Sequence, residues 1–275
     1  MGGVVPPGES NDHLVDNLVE GNFIKSKEVE NAFRKVDRGD FYPGLIKDAY
    51  IDFAFKGGNL HMSAATIYCE VIENLEIKSG LSFLNIGSGT GYLSTVVGVM
   101  LGPKGINHGV DIHKDVIEYA VNRVNLFMQY GKGFDGINFC EPEFVLGNAL
   151  FLDNNRKYDR VYCGARIHSE ASLQKIKSFL KEEGVLIYPF QEHLVKSQLS
   201  NGEWQHSLIL QAQFTNLEEK SLNQAVFKIY TQPSTLQALC RIVILQSIKE
   251  VKLVESLPLS RVLIRYLKFD REFHF

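Results

Sequence analysis

A chain of 275 residues is long for one typical domain and short for two. With 45% apolar and 22% charged residues it suits a globular protein with a sizeable core, and a formal net charge of −3 argues against a dedicated nucleic-acid binder, which carries a basic surplus. The charge is divided: residues 221–275 hold 8 Lys and Arg against 4 Asp and Glu, so a body at −7 precedes a tail at +4. Four cysteines (Cys69, Cys140, Cys163, Cys240) stand far apart without a CxxC pair and read as free thiols in a reducing, cytoplasmic compartment. The eight histidines form no HxxxH or mixed Cys/His cluster, so no metal site is expected. No run approaches 18 apolar residues, which excludes a spanning helix. The opening Met-Gly-Gly-Val-Val-Pro-Pro-Gly lacks the pattern of a signal peptide. Gly2 is a myristoylation candidate that would add membrane association, but Pro6 stands where that motif wants Ser or Thr. The plainer reading of residues 1–12 is a flexible terminus.

Along the chain, helical spacing begins near His13 (Leu14, Leu18) and resumes at Val29, Phe33 and Val36, with Ser26 as the expected N-cap. A helix over 63–76 leads into the apolar strand 81–86. A glycine loop, a helix over 91–101, a strand ending at Asp111 and a helix over 114–128 follow. Strand-like runs recur at 144–146, 159–163 and 185–188, with a helix over 171–180 between the last two. Strands separated by helices of this length predict an α/β fold, a mostly parallel sheet covered on both faces. Asn201-Gly202 between two apolar stretches predicts a hairpin and an antiparallel edge. In the tail, Leu236, Leu239, Cys240 and Val243 keep helical spacing, Pro258 interrupts it, and Ser260 can cap a second short helix. Two such helices bury too little to fold alone and must pack on the body or on a partner.

Phe83-Leu-Asn-Ile-Gly-Ser-Gly-Thr-Gly-Tyr92 is the most informative stretch. Glycines at 87, 89 and 91 follow a strand and open a helix, where the backbone can approach a ligand closely. The spacing is GxGxG rather than the GxGxxG of dinucleotide binders, which disfavours NAD, while Asp111 at the next strand end suits ribose hydroxyls. The pattern resembles the nucleoside-binding signature of S-adenosylmethionine methyltransferases, whose Rossmann-like fold is then implied. Over about residues 10–215 the chain is similar to one family. His13-Leu-Val-Asp-Asn-Leu, the run Ile24-Lys-Ser-Lys-Glu-Val-Glu-Asn-Ala-Phe-Arg-Lys-Val-Asp-Arg-Gly-Asp-Phe-Tyr-Pro43, and Ala49-Tyr50-x-Asp52 follow the order found in protein-L-isoaspartate O-methyltransferases.

That resemblance implies S-adenosyl-L-methionine as cofactor, lined by Asn85, Gly87, Ser88, Gly89, Thr90 and Gly91, with Asp111 taking the ribose hydroxyls. Gly147-Asn148 falls where the family commonly has Gly-Asp facing the adenine, so an amide replaces a carboxylate. Ser63 in His61-Met-Ser-Ala-Ala65 aligns with the serine of the family's Thr-Ile-Ser-x-Pro segment. Either it orients a substrate carboxylate as the catalytic serine or it caps the helix starting there. Methyl transfer to a carboxylate needs no general base, because the nucleophile is already anionic at neutral pH. The segment Phe53-Ala-Phe-Lys-Gly-Gly-Asn-Leu-His-Met62 is one residue shorter than the family's substrate loop, and Ala65 replaces its proline. These departures leave cofactor binding standing and put turnover in question.

Thr235-Leu-Gln-Ala-Leu-Cys-Arg-Ile-Val-Ile244 fits the T/S-L-x-x-x-C-x-x-x-Φ pattern and resembles a BC box. Leu236, Leu239 and Cys240 would be its elongin-binding anchors on one helix face. Leu257-Pro258-Leu259, with Leu263 and Tyr266-Leu267 beyond, resembles the cullin-binding half of a SOCS box, Ser260 standing where proline is commonest. The expected organisation is residues 13–220 as an isoaspartyl methyltransferase-like domain and 231–270 as a SOCS box, with the BC box at about 235–244 and the cullin box at about 257–267. The combination is similar to that of the isoaspartyl methyltransferase domain-containing proteins. It implies a substrate receptor of an elongin B/C–cullin ubiquitin ligase that recognises isoaspartyl or otherwise damaged proteins. The alternative is a working protein-L-isoaspartate (D-aspartate) O-methyltransferase. A small-molecule methyltransferase is disfavoured by the Asp-Arg-Gly-Asp-Phe match (37–41).

Overall fold

The computed structural model describes residues 5–136 and 138–219, together with the isolated positions Pro258, Leu259 and Ile264. The apolar runs expected as strands form one seven-stranded sheet. It comprises β3 (Ser82–Ile86), β4 (Ile106–Asp111), β5 (Glu143–Leu146), β6 (Tyr158–Cys163), β7 (Leu180–Phe190), β8 (His193–Ser200) and β9 (Glu203–Gln211). Their spatial order is β5-β4-β3-β6-β7-β8-β9, parallel from β5 to β7 and antiparallel at β8 and β9. Asn201 and Gly202 both take positive φ (52° and 76°), the handedness that a two-residue hairpin between twisted strands requires.

Period-two alternation divides each central strand between two cores. Phe83, Val185 and Ile187 enter one cluster, shared with the helices α1 (Asn11–Glu20), α2 (Lys27–Lys35), α4 (Ala65–Leu75), α5 (Tyr92–Leu101) and α6 (Lys114–Tyr130). Leu84, Ile86 and Leu186 enter the other, beneath α7 (Glu170–Lys177). Between α2 and α4 come the short helix α3 (Arg38–Phe41) and the hairpin β1 (Phe55–Gly57)–β2 (Leu60–Met62). Neither was expected from the sequence.

Several boundaries move for local reasons. Residues 5–12, expected within a flexible terminus, pack on the body: Val5 is buried and the Gly8 N–H donates to the Tyr50 carbonyl. Ser10 caps α1 by accepting from the His13 N–H, so that helix starts at Asn11. Ser26 occupies the N-cap position of α2, but its hydroxyl donates to Glu73, which also takes the N–H groups of Lys25 and Ser26. The helix expected over 63–76 starts at Ala65 with Ala64 at its N-cap, so Ser63 is not the cap. Asp52 serves its first turn instead, accepting from the Thr66 N–H at 3.0 Å and from the Thr66 hydroxyl. The helix expected over 171–180 ends at Lys177, because Leu180 already belongs to the long strand β7.

The topology fixes where a ligand goes. From β3 the chain runs outward through β4 to β5, then returns to the other side of β3 with β6. The two halves diverge at the carboxyl ends of β3, β4 and β6, and a crevice opens there in sheets of this kind. Away from it, His108 on β4 is only 3% exposed, with Nδ1 2.7 Å from the Tyr158 hydroxyl. Burial lowers its pKa to about 4, and the exposed Glu143 carboxylate at 3.7 Å does not offset that. Protonation therefore favours the unfolded chain, where the imidazole titrates near 6.5. Stability is full above that pH, falls by about 2–3 kcal/mol as the pH drops toward 4, and levels off below. Denaturant midpoints measured across this range should show the slope, and His108→Gln should flatten it; an unchanged profile would assign the slope elsewhere.

Candidate functional site

At the end of β3 the backbone turns sharply. Gly87 and Ser88 donate their N–H groups to the Val110 carbonyl (2.8 and 3.0 Å), binding the loop to β4. Gly89 has φ +55°, and a Cβ there would lie 2.7 Å from the His61 carbonyl oxygen. Only glycine lets this loop pass so close to β2. Gly91 (φ +83°) is the N-cap of α5 and offers no capping side chain. Asp111 closes the loop from β4, accepting from the Gly89 N–H at 3.1 Å and the His113 N–H at 3.2 Å. Burial raises its pKa, and those backbone donors oppose the rise.

Together these elements enclose a cavity of about 320 Å³. Of the residues expected to hold a cofactor, Asn85, Gly87, Ser88, Gly89 and Asp111 line it. Asn85 Oδ1 and Ser88 Oγ are buried on its wall without a protein partner among the described residues. A ligand bearing hydroxyl or ammonium donors would satisfy both. Thr90 and Gly91 lie behind the lining, Thr90 being buried. Gly147 and Asn148 also fall outside it. The Gly147 N–H donates to the Asp111 carbonyl, while Asn148 caps the 3-10 turn Ala149–Phe151 by accepting from the Leu150 N–H. The Asn148 amide donates in turn to the Glu218 carbonyl at 2.7 Å.

Ser63, 8% exposed, reaches the same cavity. Its N–H donates to the Tyr68 hydroxyl at 3.0 Å, and Tyr68 also lines the wall. Behind them the fully buried Arg38 guanidinium donates to the carbonyls of Ala49, Phe53 and Ser63 and lies 6.0 and 5.8 Å from the ring centroids of Tyr68 and Tyr92. Lys56, His61, Tyr68, Tyr162 and Thr215 are lining residues that sequence reasoning missed. Alternation in 55–62 could have revealed the first two, had paired glycines not disguised a hairpin as a loop.

After β9 the chain doubles back as a strap. The Arg166 N–H donates to the Thr215 carbonyl, the Leu217 N–H to the Arg166 carbonyl, and the hydroxyls of Ser169 and Ser172 to the Glu219 carboxylate. Among the described residues no group of His, Cys, Asp and Glu could hold a metal, and no helix is long and apolar enough to cross a membrane. Cys69, Cys140 and Cys163 are free and buried. Gly2, Leu236, Leu239, Cys240 and Leu257 lie outside the described residues; of the described positions beyond 219, Pro258 is exposed and Leu259 half-buried.

The sequence profile of the family described as Protein-L-isoaspartate(D-aspartate) O-methyltransferase matches residues 9–215. The chain belongs to that family. This methyltransferase-family body is followed by a match to the SOCS box over residues 232–268. A protein-L-isoaspartate O-methyltransferase of Methanococcus vannielii is 26% identical over 216 residues, 75% of this chain and 96% of the relative. One from Ignicoccus hospitalis is 27% identical, covering 67% and 83%. Among solved structures, a Plasmodium falciparum chain described as a protein-L-isoaspartate O-methyltransferase, in complex with S-adenosyl-L-homocysteine, superposes with TM-score 0.64 at 19% identity. That match covers 77% of this chain and 99% of the other. A second protein-L-isoaspartate O-methyltransferase gives TM-score 0.62 at 20% identity, covering 75% and 65%. At these identities the likeness establishes the fold, a Rossmann-like methyltransferase fold with an antiparallel edge.

Replacing the Asn148 donor tests how the isoaspartyl-methyltransferase body holds its strap. Asn148→Asp keeps the acceptor for the Leu150 N–H but sets a carboxylate against the Glu218 carbonyl. Loss of one such bond is worth about 1 kcal/mol, so the Arg166 and Leu217 amides should exchange with deuterium about fivefold faster. Unaltered protection would show that the remaining contacts hold the strap alone.

Proposed function

We propose that this protein is an S-adenosyl-L-methionine-binding substrate receptor of an elongin B/C–cullin ubiquitin ligase, recognising isoaspartyl or otherwise damaged proteins. One observation carries the reading: a single chain joins an isoaspartyl methyltransferase-family body, with a formed cavity at its switch point, to a SOCS box. The cofactor is S-adenosyl-L-methionine. Asn85, Ser88, the Gly87–Gly89 backbone and Asp111 would hold it, Asp111 through its remaining carboxylate lone pairs. The proposed division places the body at 13–220 and the box at 231–270. In the box, Leu236, Leu239 and Cys240 are anchors for elongin C, and Leu257-Pro258-Leu259 faces the cullin. A cytoplasmic location, with lipidation at Gly2 as a route to membranes, belongs to the same reading.

A second reading is favoured by Ser63. It opens on the cavity that also contains Asp111 and the glycine loop, as a working O-methyltransferase requires. When bound, the cofactor supplies an electrophilic methyl group on a sulfonium. The residues of this chain then have two tasks, positioning a carboxylate and excluding water, since no proton need be removed from an anionic nucleophile. Ser63 would donate its hydroxyl to that carboxylate, with its main chain held by Tyr68 and Arg38.

Two experiments separate these readings. Co-purification of the full chain with elongins B and C should drop to background in the Leu236→Ala, Cys240→Ala double variant; capture equal to wild type would defeat the receptor reading. Labelled methyl transfer to an isoaspartyl peptide, reduced at least tenfold by Ser63→Ala, would establish turnover, for loss of a transition-state hydrogen bond costs about 1.4 kcal/mol or more. No incorporation at saturating cofactor would remove the second reading and leave the first.

A further inference from the structure

We infer that Lys56 and His61 form a cationic lip that selects ligands carrying a second carboxylate next to the one presented to Ser63. This rests on the reading that the cavity takes a peptide carboxylate, and it adds a sequence preference that the family membership does not carry.

The lip follows from the register of the β1–β2 hairpin. Lys56 and His61 are directly paired across its two strands, and both line the cavity. The flanking pair is Phe55 and Met62. Met62 is fully buried in the core and Phe55 packs edge-on against Tyr42, with ring centroids 5.2 Å apart. Side chains alternate along strands, so anchoring the Phe55–Met62 pair in the core commits the next pair to the cavity side. The tip is held as well. Asn59 donates its amide to both carboxylate oxygens of Asp115, at 3.2 Å each, in the first turn of α6. The hairpin is therefore a wall fastened at both ends, with the Lys56 ammonium and the His61 ring facing the cleft.

The chemistry of that wall is specific. Ion pairs among the described residues leave both Lys56 and His61 unengaged. Burial and the neighbouring ammonium hold the His61 pKa below its ordinary value, so at neutral pH the imidazole is a neutral donor beside the Lys56 charge. A carboxylate would take a hydrogen bond from the half-buried ring and the Coulomb attraction of the exposed ammonium. Asp111 lines the same cavity, where its carboxylate is already engaged by the Gly89 and His113 N–H groups. His61 and Ser63 lie two residues apart on one strand direction, about 7 Å. The long, flexible side chain of a Glu adjoining the target can bridge that span, with Ser63 at the buried end and Lys56 at the exposed mouth.

The test uses the full chain with S-adenosyl-L-homocysteine present and four fluorescein-labelled peptides of otherwise identical sequence. They carry isoaspartate or aspartate at the target position, followed by Glu or Gln. Fluorescence anisotropy at low salt should show the isoaspartyl-Glu peptide binding about tenfold tighter than the isoaspartyl-Gln peptide, a difference of about 1.4 kcal/mol, and high salt should shrink the ratio. In the Lys56→Gln, His61→Gln variant, with an unfolding midpoint matching wild type, the Glu-to-Gln ratio should collapse to about one. A wild-type protein that ignores the Glu, or a double variant that keeps the ratio, overturns the lip. Equal binding of isoaspartyl and aspartyl peptides, with a Glu preference still lost in the variant, would overturn the isoaspartyl reading and leave the lip standing.

Discussion

The site depends on one contact: the passage of Gly89 beneath the His61 carbonyl, where any Cβ would come within 2.7 Å of oxygen. This close approach joins two elements of different origin. The glycine loop belongs to the parallel sheet, and its N–H groups are spent on Val110 and Asp111. The hairpin β1–β2 forms a separate two-stranded sheet, yet it closes the cavity that the larger sheet opens. A side chain at position 89 would force the two apart and widen the cleft between Asp111 and His61. The positive φ there matters less than the missing Cβ, since a non-glycine residue could reach +55° at modest cost but could not avoid the oxygen.

Behind the hairpin, Arg38 performs the corresponding task for the segment leading into it. Its guanidinium is fully buried and is solvated by three backbone carbonyls and two aromatic rings. A buried charge without such groups would cost several kcal/mol, so residues 49–63 must wrap around it or leave it exposed to a low-dielectric core. The planar fork explains the choice of residue. One lysine ammonium could not span the carbonyls of Ala49, Phe53 and Ser63 in those directions. The same contacts fix the main chain of Ser63 from two sides, because its carbonyl takes Arg38 while its N–H goes to Tyr68. The Asp-Arg-Gly-Asp-Phe run therefore acts on the cleft from below, and Asp37 contributes by accepting from the Gly39 N–H and the Tyr50 hydroxyl.

Most of this was legible where a residue's role is local. Strand alternation, the GxGxG turn and the Asn-Gly hairpin each announce themselves within ten residues, and Asp111 follows from its place at a strand end. What escaped was decided at a distance. Ser63 reads equally as a cap or a site residue until Asp52, eleven positions earlier, is seen to serve that helix. Three-residue strands are too short for periodicity to register, and the Gly57-Gly58 pair hides β1–β2 further. Asn148 looked like a weakened cofactor ligand because the aligned position is acidic. Its amide is used by the strap, seventy residues away, and an amide can donate to a carbonyl where a carboxylate cannot.

The strap gives the opening imbalance of charge and length a physical setting. Its Thr215 lines the cavity, and the next four residues are fastened to Arg166, Asn148, Ser169 and Ser172. Residue 219 is the last position of the described body, and the SOCS box match begins thirteen positions later. Thr215, on the wall of the cleft, is thus four positions from the last residue of the described body. Any ligand that presses on Thr215 shares hydrogen-bonded neighbours with the start of the connection to the tail. A chain of this composition could have placed its last strand and its exit anywhere along the antiparallel edge. Returning across the carboxyl ends of the parallel strands instead orders residues 212–219 against one face of the site.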